Sequence, residues 1–238
     1  MGESRFHAFI INFKDSDLWI GVDNASYNES MPGFAEKKLI EIRQSLETYI
    51  AFFPSFQTSM VPVDLAAGAP EIAVIMNDAG RKAGTGPMSA VAGAIAEAVG
   101  ISLRSAFDIQ EIVVENGGDI YLAVKEDIVL SIYAGNSPLS EKIGLKVDHK
   151  LTPLGVCTSA GTVGPSLSFG KTDAVLVSCK NTALADAYAT HLGNRVRNAV
   201  EIQNTMKLAS KYNEILSAII ICKSQIGIIG DFEICPIN

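Results

Sequence analysis

The chain has 238 residues, 48% of them hydrophobic and 19% charged, with a formal net charge of -7. This composition excludes a disordered chain, and the acidic balance without a Lys/Arg cluster excludes a broad footprint on a nucleic-acid backbone. A mean hydropathy of +0.25 sits at the apolar end of soluble proteins, so a sizeable core is expected.

Arg5 to Phe13 and Leu18 to Asp23 are β-rich runs joined by polar Lys14-Asp15-Ser16-Asp17, which predicts an antiparallel hairpin. From Phe34 to Phe53, apolar Leu39, Ile42, Leu46, Tyr49, Ile50 and Phe53 recur at helical spacing, and Pro54 lies just past them. A helix is predicted there. Pro54 to Pro70 reads as a connecting loop, Ile72 to Met76 as a strand and Asn77 to Lys82 as a turn. Thr85-Gly86-Pro87 then opens a helix over Met88 to Val99, unusually rich in Ala, Ser and Gly, with Gly100 closing it.

Glu111 to Val114, Ile120 to Val124, Ile128 to Tyr133 and Gly144 to Val147 are short β-rich runs separated by turn residues, as in a meander. Gly155 to Gly170 is rich in Gly, Ser and Thr and reads as a flexible lead into a strand at Ala174 to Ser178. A helix follows from Thr182 to about Leu192, a second is expected over Asn194 to Leu208, and the tail carries apolar runs at Ile215 to Cys222 and around Ile226 and Ile234. With no repeat and no linker, the pattern predicts a single two-layer α+β domain over residues 1–238, its sheet mostly antiparallel.

The start, Met1 to His7, shows no apolar signal core, and Met88 to Ile101 is too short to span a bilayer and is interrupted by Glu97. A cytoplasmic protein with no membrane partner is expected. Cys157, Cys179, Cys222 and Cys235 show no CxxC or Cys/His spacing and read as reduced thiols. The high apolar content raises a homodimer as an expectation without fixing its interface.

Two segments point to a site. Asn116-Gly117-Gly118-Asp119 follows an apolar run; its glycines admit close approach of a ligand, and the same four residues also suit a tight hairpin turn. Asp186 and Thr190 are four apart in the predicted helix, so their oxygens share one face, half of a site for a hard cation such as Mg²⁺. The alternative there is a solvent-facing Asp and a Thr bonded back to its own helix. The helix start around Gly86, Met88 and Ser89 offers free amides to an anion, or is simply a capped end. Cys157, with Thr158 and Ser159, lies in a glycine-bracketed stretch suited to a reactive thiol, which raises a thiol enzyme or sulfur carrier as one reading; a small buried cysteine is the other. His7, His149 and His191 form no triad-like motif.

Taken in order, Gly86 to Gly93, Asn116 to Asp119, Cys157 to Gly161, and Asp173-Ala-Val followed by Ala183 to Thr190 resemble the ApbE superfamily, and more closely its cytoplasmic branch. The resemblance implies a T-fold-related α+β fold, FAD binding and Mg²⁺-dependent transfer of FMN to a threonine of a partner protein. It also implies that Asp186 and Thr190 are metal ligands, with a backbone oxygen near Ser89 or Ala90 as a third, and that Asn116 to Asp119 form the ligand-side turn. Two departures stand out: the family's helix lysine is here Ala92, and its His-Ile-Asp-Pro-Arg-Thr-Gly segment is replaced by Gly161 to Gly170, which has no His, Asp or Arg. The expectation is therefore a small-molecule protein that binds an anionic or nucleotide-like ligand with Mg²⁺, with FAD and flavin transfer, a Cys157-dependent enzyme, and a non-catalytic binding protein as alternatives.

Overall fold

The opening hairpin forms as β1 (Phe6–Phe13) and β2 (Ser16–Asp23) in a computed structural model that describes residues 5–160, 172–230 and 232–237. The long amphipathic helix follows as α1 (Met31–Phe52), its buried face made by Met31, Ala35, Leu39, Leu46 and Tyr49. The loop after it holds one turn of helix, α2 (Ser55–Thr58).

The strand expected at Ile72 to Met76 and the turn expected at Asn77 to Lys82 are both corrected: they form a single helix, α3 (Glu71–Ala83). Its buried residues Ile72, Ala73, Met76, Asn77, Gly80 and Ala83 recur every three to four positions, a helical face that the apolar run concealed. Acidic Glu71 in its first turn and basic Arg81 and Lys82 in its last complement the helix dipole. Residues Pro87–Ala90 make a 3₁₀ turn and α4 runs over Val91–Ala106. Gly100 does not close this helix; it lies within it, where a Cβ would meet the Tyr121 ring at 2.4 Å.

The strands that follow are β3 (Ile112–Asn116), β4 (Asp119–Ala123), β5 (Ile128–Ser131), β6 (Ile143–Val147), β7 (Leu154–Ser159) and β8 (Ala174–Cys179). After α5 (Thr182–Gly193), the helix expected over Asn194 to Leu208 shortens to α6 (Ile202–Ala209), preceded by a 3₁₀ turn at Ala199–Glu201. The tail supplies β9 (Ile215–Cys222), β10 (Gln225–Gly230) and β11 (Glu233–Pro236).

One eight-stranded sheet has the order β1-β2-β3-β4-β7-β8-β9-β10, and every neighbouring pair is antiparallel. The meander is broken at β5 and β6, which leave it and join β11 in a separate three-stranded sheet. Strand alternation divides the core. Leu18, Ile20, Ile112, Val114, Cys157, Val175 and Val177 face the helices, whereas Val113, Leu122, Leu154, Val156, Leu176 and Ile219 face the small sheet. The expected helix-on-sheet pair is thus present, and the small sheet adds a third layer. Covered on both sides, β8 is buried at every position. On the helical side, α4 packs over β3 and β4, and α5 over β7 and β8, so the seam between β4 and β7 lies beneath the junction of the two helices.

Candidate functional site

The seam begins at the β3–β4 turn. Asn116 pairs with Asp119 across it, and the two residues between them, Gly117 and Gly118, have φ of +64° and +99°. A two-residue loop with positive φ at both positions matches the twist of the strands, and side chains larger than Gly or Asn resist it. The tight-hairpin reading of this segment therefore holds for its backbone. Its side chains do something else: the Asn116 Nδ2 donates to the Ala92 carbonyl (3.1 Å), pinning the turn to the start of α4, and the Gly118 amide donates to Glu115 Oε1 (2.7 Å).

Asp119 points into the protein and is buried. Its Oδ1 accepts from the Thr158 amide on β7 (3.2 Å). Above β7 lies α5, running along it: a Cβ at Gly155 would meet Thr182 at one end, and a Cβ at Gly193 would meet Ser159 at the other. Asp186, in the middle of α5, is also buried, and its Oδ2 accepts from the Gly93 amide in the first turn of α4 (3.0 Å).

The two aspartates are close enough for the charge of one to act on the other. Burial, and then the charge of Asp186, hold the Asp119 carboxyl well above the usual carboxylate range. Burial pushes Asp186 up to about 7, against the lowering effect of the Gly93 and Ala92 amides. Among the described residues, neither carboxylate has a cationic partner. Two buried acids sharing a space without a counter-charge keep a proton or take up a cation.

Cys157 lies between them, and its setting is a correction. Gly155 to Ser159 is not a flexible stretch but β7, and the thiol is fully buried. The Cys157 Sγ donates to the Thr182 carbonyl (3.3 Å) and also faces Asp119, though its one proton serves one acceptor at a time. Burial, then Asp119 and Asp186, push the thiol well above its ordinary range, which opposes thiolate formation. Residues 161–170, the segment that replaces the family's His-Ile-Asp-Pro-Arg-Thr-Gly stretch, lie outside the described residues.

Thr190 is one turn beyond Asp186 on α5 and half-buried; Thr158 is half-buried beside the turn and Ser159 is buried near the end of α5. Asn116, Gly117, Gly118, Asp119, Cys157, Thr158 and Asp186 thus belong to one seam, with Thr190 one turn further along α5. Gly86, Met88 and Ser89 do not offer the free helix end expected of them. The Ser89 amide and hydroxyl both donate to the Gly86 carbonyl, and the α4 amide at Gly93 is taken by the protein's own carboxylate, Asp186. Neither the cavity of about 620 Å³ at the C-terminal end of α4 nor the cleft of about 460 Å³ between α1, α3 and α4 is lined by the acidic pair. Asp127, Asp148 and His149 form an exposed cluster beyond the far end of β4, where they are engaged with one another, with Lys146 and with nearby amides.

The donors at the seam, two carboxylates and a hydroxyl, are the hard oxygens that Mg²⁺ takes, and the uncompensated charge of the pair fits such an ion. Asp186 and Asp119 would hold such an ion from α5 and from the turn, with Thr190 one turn further along α5. Sequence reasoning named each of these residues but not the electrostatic coupling of Asp119 to Asp186, nor the contact of Asp186 with the start of α4.

Comparisons with known proteins bear on the family and the fold. The model of the family described as AbpE bacteria matches residues 2–218. A UPF0280 protein of Methanocaldococcus jannaschii is 40% identical over 92% of this chain and 89% of its own, and one from Methanosarcina barkeri is 40% identical over 91% and 84%. Among solved structures, the flavin transferase ApbE from Vibrio cholerae superposes with a TM-score of 0.63 at 13% identity, covering 97% of this chain and 96% of its own. The apo flavinyl transferase ApbE of Pseudomonas stutzeri gives 0.59 at 15% identity, covering 98% and 94%. At such identities the superpositions speak for the fold. Among the described residues, no single helix is long and apolar enough to cross a membrane.

Proposed function

Because the chain belongs to the AbpE bacteria family, we propose that it binds an anionic, nucleotide-like small molecule through a divalent cation held at the β4–β7 seam. The observation that carries this reading is the buried pair Asp119 and Asp186, which has no cationic partner among the described residues. An anion has no reason to approach two carboxylates in a chain of net charge -7 unless a cation lies between them. Mg²⁺ is suited to this because it keeps open positions that phosphate oxygens fill. Asp186 and Thr190 would hold the ion from α5 and Asp119 from the turn. The ion would supply the positive charge for a phosphate, and the glycines at 117 and 118 leave that side free of side chains.

The named flavin transferases that share the fold make FAD the first nucleotide to try. Flavin transfer itself is not proposed, since the lysine position of the resemblance is Ala92, whose carbonyl is engaged with Asn116. The test is a thermal-shift titration of EDTA-stripped protein with MgCl₂ alone, followed by FAD and ADP with and without MgCl₂. Mg²⁺ is expected to raise the melting temperature, and the nucleotide to add to that rise only when Mg²⁺ is present. A stripped protein indifferent to millimolar MgCl₂ would end the proposal.

A further inference from the structure

Besides the contact between Gly93 and Asp186, hydrogen bonds from a residue outside the acidic pair tie α4 to α5. Glu97, one turn beyond Gly93 on α4, accepts at Oε2 from the Thr182 amide (3.0 Å) and from Asn181 Nδ2 (3.1 Å). Thr182 stands one turn before Asp186 on α5. The helices therefore run antiparallel in matched steps, four residues forward on one meeting four residues back on the other.

Each helix lends a carboxylate to the first turn of its neighbour, where amides lack intrahelical partners. Neither end replaces that loan from its own sequence. Ala90, at the start of α4, has no side-chain acceptor, and the Asn181 Oδ1 is committed to the Leu184 amide. Between the two contacts the backbones approach as closely as glycine allows, since a Cβ at Gly93 would lie 2.6 Å from the Thr182 carbonyl oxygen.

We propose that Glu97 is the positioning residue of the acidic site: by fixing the first turn of α5 on α4 it sets where the Asp186 carboxylate stands against Gly93 and Asp119. Its metal readout rests on the cation-binding reading above; its geometric readout does not. Glu97 lines the cleft between α1, α3 and α4 rather than the seam, so its replacement alters no proposed ligand of the ion.

The experiment compares wild type, Glu97→Ala and Glu97→Gln in two measurements. One is amide hydrogen exchange on EDTA-treated protein, and the other is Mg²⁺ affinity by calorimetry. Glu97→Ala is expected to speed exchange at Gly93 about tenfold relative to amides late in α4, and to weaken Mg²⁺ binding about tenfold, as for a lost charge-assisted hydrogen bond. Glu97→Gln keeps an acceptor oxygen and is expected to stay within about threefold of wild type in both. Unchanged exchange at Gly93 in Glu97→Ala overturns the proposal, as does a Gln variant as impaired as the Ala one. A rise spread evenly along α4 also overturns it, because that is general loosening. If wild type takes up no Mg²⁺, the functional reading falls, while the exchange measurement still decides the role of Glu97. Should Glu97→Ala not fold, Glu97→Met, which keeps the bulk and removes the acceptor, takes its place.

Discussion

The β3–β4 hairpin carries a carboxylate at each end, and the two ends are built on opposite electrostatics. At the open end Glu111 receives the Arg5 guanidinium as a fork, Nε to Oε2 at 3.0 Å and one terminal nitrogen to Oε1 at 2.6 Å, with the Lys125 and Glu126 amides also donating. The Arg5 hydrogen bond holds that carboxyl below its ordinary range. At the turn end Asp119 meets Asp186, and both are held above theirs. The same residue class thus serves two purposes. An acid paired with a fixed cation is complete and contributes to the fold, whereas an acid paired with another acid is incomplete until something from solution arrives.

The comparison breaks most directly at Asp186. Asp186→Ala should weaken Mg²⁺ binding at least about 100-fold, near 2.7 kcal/mol, in calorimetry. Arg5→Leu should leave it unchanged. An Asp186 variant that still binds Mg²⁺ would place the ion elsewhere and dissolve the contrast between the two ends.

The pH profiles of the two ends should run in opposite directions. The folded Asp186 carboxyl titrates near 7, against 3.8 for a free one, so the folded state holds its proton longer. That stabilisation is full below about pH 4 and is lost as pH rises toward 7. Asp119 faces the same space, and burial with the charges of Asp186 and Glu115 raises it in the same sense, while the Cys157 thiol stays protonated over this range. Denaturant melts of metal-free protein should therefore show stability falling from pH 5 to 8. Asp119→Asn should flatten that fall while weakening Mg²⁺ binding, and MgCl₂ should raise the melting temperature more at pH 8 than at pH 5. A flat wild-type profile counts against the pairing of the two acids.

At the other end the sign reverses. The lowered Glu111 carboxyl contributes stability present above its unfolded value of 4.5 and lost as pH falls through its folded one. Arg5→Leu should cost about 1 kcal/mol at pH 7, discounted because Arg5 is partly exposed, and the difference from wild type should shrink in melts near pH 3. A cost that stays constant with pH would make the Arg5 contribution packing rather than charge.

How much of this was legible depended on whether the cause is local. The Asn116 to Asp119 turn was readable because positive φ at two consecutive positions is a demand that residues 117 and 118 meet by themselves. The shared face of Asp186 and Thr190 followed from helical spacing alone. The strand misread at Ile72 to Met76 shows the limit of a short window: Ile, Ala, Val, Ile and Met look β-rich, while the buried Asn77, Gly80 and Ala83 that complete the helical face lie beyond it. Gly155 to Ser159 looked like a loop because its residues are small, yet they are small so that α5 can lie on the strand, Gly155 against Thr182. The approach of Asp119 to Asp186 follows from the strand order β4-β7-β8, and the service of Glu97 to Asn181 and Thr182, 84 and 85 residues away in sequence, from the register of two helices. No periodicity encodes either.

The smallest expected effect concerns Cys157, and it tests whether the turn end is as negative as its two acids require. A thiol in a glycine-bracketed loop near cations would react readily, but this one is fully buried in a strand and faces two carboxylates that disfavour its thiolate. Native protein treated with iodoacetamide at pH 8 should therefore be modified first at Cys235, which is only partly buried, with Cys157 protected until unfolding. Cys157→Ala should change Mg²⁺ affinity less than about threefold, below ~0.7 kcal/mol, because the thiol donates to the Thr182 carbonyl and is no ligand of the ion. A Cys157 that outpaces Cys235 would mean that the carboxylates beside it are already neutralised by a cation fixed in the protein, and the turn end would then be as complete as the Arg5 end.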